Sequence, residues 1–251
     1  MSDQHLYGAV LLKAKEILDF ISDSKAAPGL KEISAHIDTS KSTVLKILQT
    51  LEYCGFVKSY GATKQYYLGT VFLKYGDQAS QSFDLDKIAM PFLNKLRDQT
   101  TEAVNLGIIE NDKIVLLDRA KSTNSIHFDL ELGGAMDMYS SAMGKAVLPY
   151  YSDKKIEEYL DKTALVKKTD NTIVTRQGLL DNIAQAKTNG YAIDDIENQE
   201  GVYCIGFPLV KNNQIFGGFS ISAPVFRLTD EKKNKWIQYG LDTKEKIVEQ
   251  F

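Results

Sequence analysis

Residues Thr39 to Leu51, T-S-K-S-T-V-L-K-I-L-Q-T-L, constrain this chain more than any other stretch. At 100° per residue, Val44, Ile47, Leu48 and Leu51 fall in one sector, the stripe by which a helix joins a core. Ser42, Lys46, Gln49 and Tyr53 fall opposite. That second face offers a hydroxyl, a cation, an amide and a phenol but no acid, and such groups meet phosphate oxygens and base edges in a major groove. An ordinary surface helix reads the same in isolation, so the flanking sequence has to decide.

Upstream, Val10, Ala14, Ile17 and Ile21, widened by Leu11 and Leu18, define a helix from about Tyr7 to Ser22. Pro28-Gly29 breaks it. Leu30 to Ile37 gives a short second helix with Leu30, Ile33 and Ile37 inside, and Asp38-Thr39 makes a tight connection. Ser40 or Thr39 supplies an N-cap oxygen for the third helix, and Gly55 suits its left-handed end. Downstream, Phe56–Tyr60 and Lys64–Leu68 read as strands joined by Gly61-Ala62-Thr63. Three helices and a hairpin predict a winged helix-turn-helix.

In that geometry Ser42, Thr43, Lys46, Gln49 and Tyr53 face DNA from the recognition helix. Ser40 and Lys41 meet phosphates at its start, and Lys58, Tyr60 and Lys64 set the wing against the backbone. Each of these lysines also reads as a solvated surface charge. Cys54 and Phe56 are expected in the core. The first 69 residues contain no arginine, so any guanine contact falls to Lys46. Binding through so few cations predicts a modest salt dependence.

The whole chain bounds the partners. Its 251 residues, 43% hydrophobic and 25% charged, fit one large or two ordinary globular domains. Net charge is −3, divided as +1 over residues 1–69 and −4 over the rest. Nucleic-acid contact must therefore come from local placement of charge and not from a bulk basic field. Two distant cysteines, Cys54 and Cys204, lack metal-ligand spacing and fit a reducing cytoplasm. The N-terminus carries no signal-peptide pattern, and no apolar run approaches the ~20 residues that span a bilayer, so no membrane partner is expected. No Gly-rich phosphate loop, G-x-S-x-G, H-x-x-x-H or C-x-x-C occurs, and no cofactor or metal is expected.

Thr70 to about Ser82 has helical spacing, with Val71, Phe72, Tyr75 and Ala79 on one side. Helices are expected at Asp84–Thr100, Ser140–Tyr151, Thr175–Asn189 and Thr229 to about Gln250. Strands are expected at Glu102–Ile109, Lys113–Arg119, Ser125–Phe128, Tyr191–Ile193, Val202–Val210 and Ile215–Ile221, with Asn212-Asn213 as a hairpin turn. This mixture predicts an α+β unit, an antiparallel sheet with helices on its faces.

From Thr39 to Val57 the chain resembles the IclR-type bacterial transcriptional regulators, with Lys41-Ser42-Thr43-Val44 and Gly55-Phe56-Val57 as matching segments. Ser40 replaces an apolar residue of the family, and Lys46 replaces an arginine, keeping the charge but losing the planar fork. Three later stretches carry the same resemblance in the right order: Tyr139–Ala146, Gly190–Pro208 and Phe219–Leu228. Gly206 stands for the usual alanine and Ala223 for the usual glycine. The resemblance covers essentially the whole chain.

It implies a winged helix-turn-helix over 1–69, a linker helix over 70–83 that also helps dimerisation, and a GAF-like α+β effector-binding domain over 84–251. It further implies a repressor that binds a double-stranded DNA operator as a homodimer or a dimer of dimers, tuned by a small organic or sugar acid. Ala142, Met143 and Gly144 would hold an anion on backbone N–H groups at a helix start. Asp194 and Cys204 match pocket positions, and Ser220 and Ser222 share one face of a strand. Glu197 either contacts ligand or structures its loop. The residues also admit a different reading, catalysis or sensing at an Asp194/Cys204 pocket with Asp195, Glu197, Glu200 and His127 nearby and the winged helix kept for protein contacts.

Overall fold

The computed structural model describes residues 8–61, 64–81, 84–128 and 130–251, and the side chains of 77–81 and 84 lie outside that description. The expected helix start at Tyr7, the turn residues Ala62 and Thr63, Ser82 and the inward placing of Ala79 fall outside it as well. The chain divides into two compact units, Met1–Ser82 and Phe83–Phe251.

In the first unit, helices α1 (Ala9–Asp23), α2 (Leu30–His36) and α3 (Lys41–Tyr53) precede a hairpin of β1 (Val57–Tyr60) and β2 (Gln65–Leu68), and α4 (Val71–Gln81) follows. Ile17, Ile21, Ile33, Ile37, Val44, Ile47, Leu48 and Leu51 interlock with Val57 and Tyr66 of the hairpin. The stripe on α3 is thus the one its 3.6-residue period marks out. On α1 the apolar stripe is buried only in part, because Val10 and Leu11 in the first turn stay 57% and 71% exposed. Gly55 takes φ 76° and turns the chain from α3 into β1. Cys54 corrects an expectation. It is exposed and not core, because it caps the end of α3 beyond Leu51, the last buried residue of that helix. Phe56 is half-buried and meets the rings of Phe72 and Tyr75 on α4 at 5.5 and 6.0 Å.

The second unit is built on a six-stranded sheet in which every pair is antiparallel. Its strands are β3 (Ala103–Glu110), β4 (Lys113–Ala120), β5 (Ala135–Asp137), β6 (Ala192–Asp195), β7 (Val202–Lys211) and β8 (Gln214–Pro224), in the order β5-β4-β3-β8-β7-β6. Helices α5 (Asp84–Thr100), α6 (Ala142–Val147), α7 (Asp153–Lys162), α8 (Arg176–Asn189) and α9 (Asp230–Val248) cover it. Two-residue alternation splits the strands between two faces. Val104, Leu106, Ile205, Phe207, Phe219 and Ile221 pack with Leu93, Leu96, Trp236 and Ile247 of α5 and α9.

The other face is small and polar, with Asn105, Gly107, Cys204, Gly206, Gly218, Ser220 and Ser222, and α6 lies on it. A side chain at Gly206 would come within 2.2 Å of the Ala142 carbonyl oxygen, so the helix rests directly on the strand. Two elements differ from expectation. Ser125–Phe128 is an irregular segment tied to its surroundings by side-chain bonds, and the strand beyond β4 is Ala135–Asp137 instead. Asp153–Lys162, opened by the Ser152 cap, is a helix that the residue pattern did not mark. Asn212 and Asn213, at φ 52° and 62°, form the tight turn between β7 and β8.

Candidate functional site

Ser40 opens α3 as its N-cap, its Oγ accepting the Thr43 N–H at 3.2 Å and lying 2.9 Å from both Ser42 Oγ and Thr43 Oγ1. Lys41, Ser42, Lys46 and Gln49 are exposed, Thr43 is half-buried, and Tyr53 is 93% exposed. The face opposite Val44 therefore carries polar groups with little packed over them in this unit. Glu52, the one acid on α3, is turned to the wing, where Ser59 Oγ donates to its Oε1 at 2.7 Å. In the hairpin, Lys58 pairs with Tyr67 and Tyr60 with Gln65. Alternation puts these four on the face opposite buried Val57 and Tyr66. Tyr60 and Tyr67 meet edge-on at 5.5 Å. Lys64 is exposed at the tip with φ 46°. Gln65 and Tyr67 belong to this surface, although the residue pattern singled out only Lys58, Tyr60 and Lys64.

The second unit holds a cavity of about 470 Å³, counting the space at its mouth, between the small-residue face of the sheet and the start of α6. Ala142, Met143, Asp194, Cys204, Ser220 and Ser222 line it. Gly144 does not. Its α-carbon faces Met138, where a side chain would come within 2.2 Å of the Met138 Cα, so this glycine permits close packing. Its N–H is also taken, by Ser141 Oγ at 3.3 Å. Ala142 and Met143, the first residues of the helix, have no intrahelical acceptor for their N–H groups.

Strand register explains the polar lining. Asp194, Cys204 and Ser222 lie side by side across β6, β7 and β8, and Asn105 lies opposite Ser220 across β3 and β8. Cys204 Sγ donates to Ser222 Oγ at 3.1 Å, and Asn105 Nδ2 donates to the same oxygen at 3.0 Å. Asp194 is 3% exposed. Its Oδ1 accepts the backbone N–H groups of Glu197 at 2.6 Å and Asn198 at 3.2 Å, which closes the loop after β6. Burial lifts its pKa to about 6 against the pull of those two bonds and of Lys145. Burial likewise pushes the Cys204 thiol far up, so it stays protonated and is a poor nucleophile.

Glu197 does not line the cavity. It forms an ion pair with the fully buried Lys145 of α6, and Thr172 Oγ1 donates to its backbone carbonyl at 2.6 Å. Its second carboxylate oxygen is buried without a partner among the described residues. Asn105, Ser141, Asn198 and Gln199 complete the polar lining, and Phe128, Leu130, Met136 and Val202 the apolar side. The signal for Asn105 was present as one amide in an apolar strand. Phe128 and Leu130 sit on irregular backbone and carry no such signal. His127 does not line the cavity; its Nδ1 lies 2.9 Å from the Asn124 carbonyl.

Comparison with known proteins adds independent findings. Residues 77–248 match the model of the bacterial transcriptional regulator IclR C-terminal domain, and residues 10–59 match the IclR helix-turn-helix domain. The acetate operon repressor of Salmonella typhimurium is 28% identical over 225 residues, covering 88% of this chain and 82% of that protein. The crystal structure of the Thermotoga maritima IclR superposes with a TM-score of 0.80 at 31% identity, covering 96% of this chain and 98% of that one. An IclR homolog from Microbacterium hydrocarbonoxydans, crystallised with 4-hydroxybenzoate, shares the fold with a TM-score of 0.81 at 16% identity, over 96% of this chain and 98% of that one.

Proposed function

The chain belongs to the IclR family of bacterial transcriptional regulators, with a helix-turn-helix DNA-binding domain and a C-terminal effector-binding domain, and from that premise we propose how it reads DNA and responds to a ligand. It is a cytoplasmic repressor and not an enzyme. Residues 1–69 bind the operator and 70–83 link them to an effector domain over 84–251. Ser42, Thr43, Lys46, Gln49 and Tyr53 read the major groove, Ser40 and Lys41 hold phosphates, and Lys58, Tyr60 and Lys64 seat the wing. The observation that carries this reading is the exposed, acid-free face of α3 opposite a fully buried stripe.

A homodimer, or a dimer of dimers, presents two such faces to two half-sites, since one small module seldom gives enough specificity alone. The cavity beneath α6 receives a small organic or sugar acid, held by Ala142, Met143, Asp194, Cys204, Ser220 and Ser222. Gel retardation on DNA from upstream of its own gene tests the DNA face. Lys46→Ala should weaken the specific complex by roughly tenfold to a hundredfold, the 1–3 kcal/mol of a base contact, and leave binding to random DNA within a few-fold. Equal weakening on both DNAs would make Lys46 a phosphate contact.

A further inference from the structure

The polar wall of the cavity presents donors. Ser222 Oγ already accepts from Asn105 Nδ2 and Cys204 Sγ, which uses both lone pairs and leaves its own O–H to donate. Asn198 Oδ1 accepts from Ser140 Oγ at 3.0 Å and Lys168 Nζ at 2.8 Å. An ammonium can only donate, so Lys168 fixes which end of this amide is oxygen and leaves Nδ2 as the remaining donor. Among the described residues no lysine, arginine or histidine lines the space. Lys168 is also held by Asp137 at 2.9 Å, and Lys145 by Glu197.

Asp194 breaks the pattern. Its Oδ1 is filled by two backbone N–H groups, and its other oxygen has no donor among the described residues. The charged and titratable groups around it are Lys145 from α6, Asp195 and Glu197 from β6 and the following loop, and Tyr203 and Cys204 from β7. Burial holds the last two neutral. Lys145 is committed to Glu197, so an ionised Asp194 leaves this buried group with one uncompensated negative charge.

We infer that the cavity takes its carboxylate ligand together with one proton, shared between that carboxylate and Asp194, with Ser222 and Asn198 as neutral donors in place of a cation. Two carboxylates in one desolvated space cannot both stay ionised. A protonated Asp194 then joins Ser222, Asn198 and the backbone N–H groups of Ala142 and Met143 as a donor to an acceptor-rich ligand. This inference rests on the reading of the cavity as the effector site.

Isothermal titration calorimetry of the full chain tests it, with lactate, 4-hydroxybenzoate and gluconate as probes, each beside its neutral carboxamide. Titrations at pH 6, 7 and 8 in two buffers of different ionisation enthalpy count the protons. At least one acid should bind, with uptake of one proton per site at pH 8. With Asp194 at about 6, its Kd should weaken about 50-fold from pH 6 to pH 8. Asp194→Asn keeps the acceptor for the two N–H groups and should bind the same acid with no dependence on pH. Circular dichroism establishes that the variant is folded.

A flat Kd without proton uptake in the unsubstituted protein overturns the inference and leaves the effector reading intact. Failure of every acid at pH 6 also overturns it. Binding of a carboxamide would then keep the cavity as an effector site for neutral ligands, and its absence would count against the effector reading itself.

Discussion

Asp194 joins the strand edge, the following loop and the cavity, and its environment makes a prediction for the ligand-free protein. Its pKa rises from 3.8 to about 6 in the fold, with burial the largest cause. Below about pH 4 both folded and unfolded chains hold the proton, and the raised pKa costs the fold nothing. From pH 4 to 6 the folded chain binds more protons, so stability falls as pH rises, and above 6 the full cost of about 3 kcal/mol is in place. Asp194→Asn should raise the denaturant midpoint at pH 8 by the equivalent of about 1–3 kcal/mol and change it little at pH 4. Equal effects at both pH values would show that packing, and not charge, governs the site. The identity of this residue was legible in its motif, but its burial and its two backbone bonds depend on Ile196 taking φ 60° and on Thr169 and Thr172 holding the loop.

At the scale of elements, α6 makes the cavity by lying close to the sheet without filling the space beside it. Gly206 lets the helix rest on β7, and Gly144 lets it rest against Met138. Gly144→Ala would place a carbon within 2.5 Å of the Met138 Cα and carbonyl oxygen, both backbone atoms that cannot swing aside. The helix must shift, at a cost of about 1–3 kcal/mol. The thermal midpoint should drop by several degrees, and any carboxylate bound in the cavity should weaken with it. An unchanged midpoint would mean that α6 has room to move. The stripes on α3, β3, β7 and β8 could be read in sequence because each follows a simple period. The short strand Ala135–Asp137 could not, since three residues set no period, and α7 buries only Ile156, Tyr159 and Leu160 on an otherwise charged helix.

At the scale of the molecule, regulation requires that the ligand bind differently to the DNA-bound and DNA-free protein. A coupling of about 1–3 kcal/mol corresponds to a 5- to 150-fold change in operator affinity, and linkage makes it reciprocal. Saturating operator DNA should therefore change the Kd of a cavity ligand by the same factor by which that ligand changes operator affinity. Calorimetry in the presence and absence of operator measures one side, and gel retardation with and without ligand measures the other. A ligand Kd unmoved by operator would detach the cavity from DNA binding. The same gel series at several salt concentrations should show a slope no steeper than four phosphate contacts per protomer allow, because the proposed interface offers only Lys41, Lys46, Lys58 and Lys64 as cations.

The sequence by itself determined the helix-turn-helix with its wing, the polar face of α3 and the family, because these rest on local periodicity and short motifs. It also marked most of the residues that line the cavity. Only the tertiary structure decided that Gly144 packs against Met138, that Glu197 is spent on Lys145, and that Asn105 and Asn198 join the wall. Those outcomes depend on which strands lie side by side and on which lone pairs are already filled, and contacts between residues 52 or 117 positions apart leave no periodic trace in the chain.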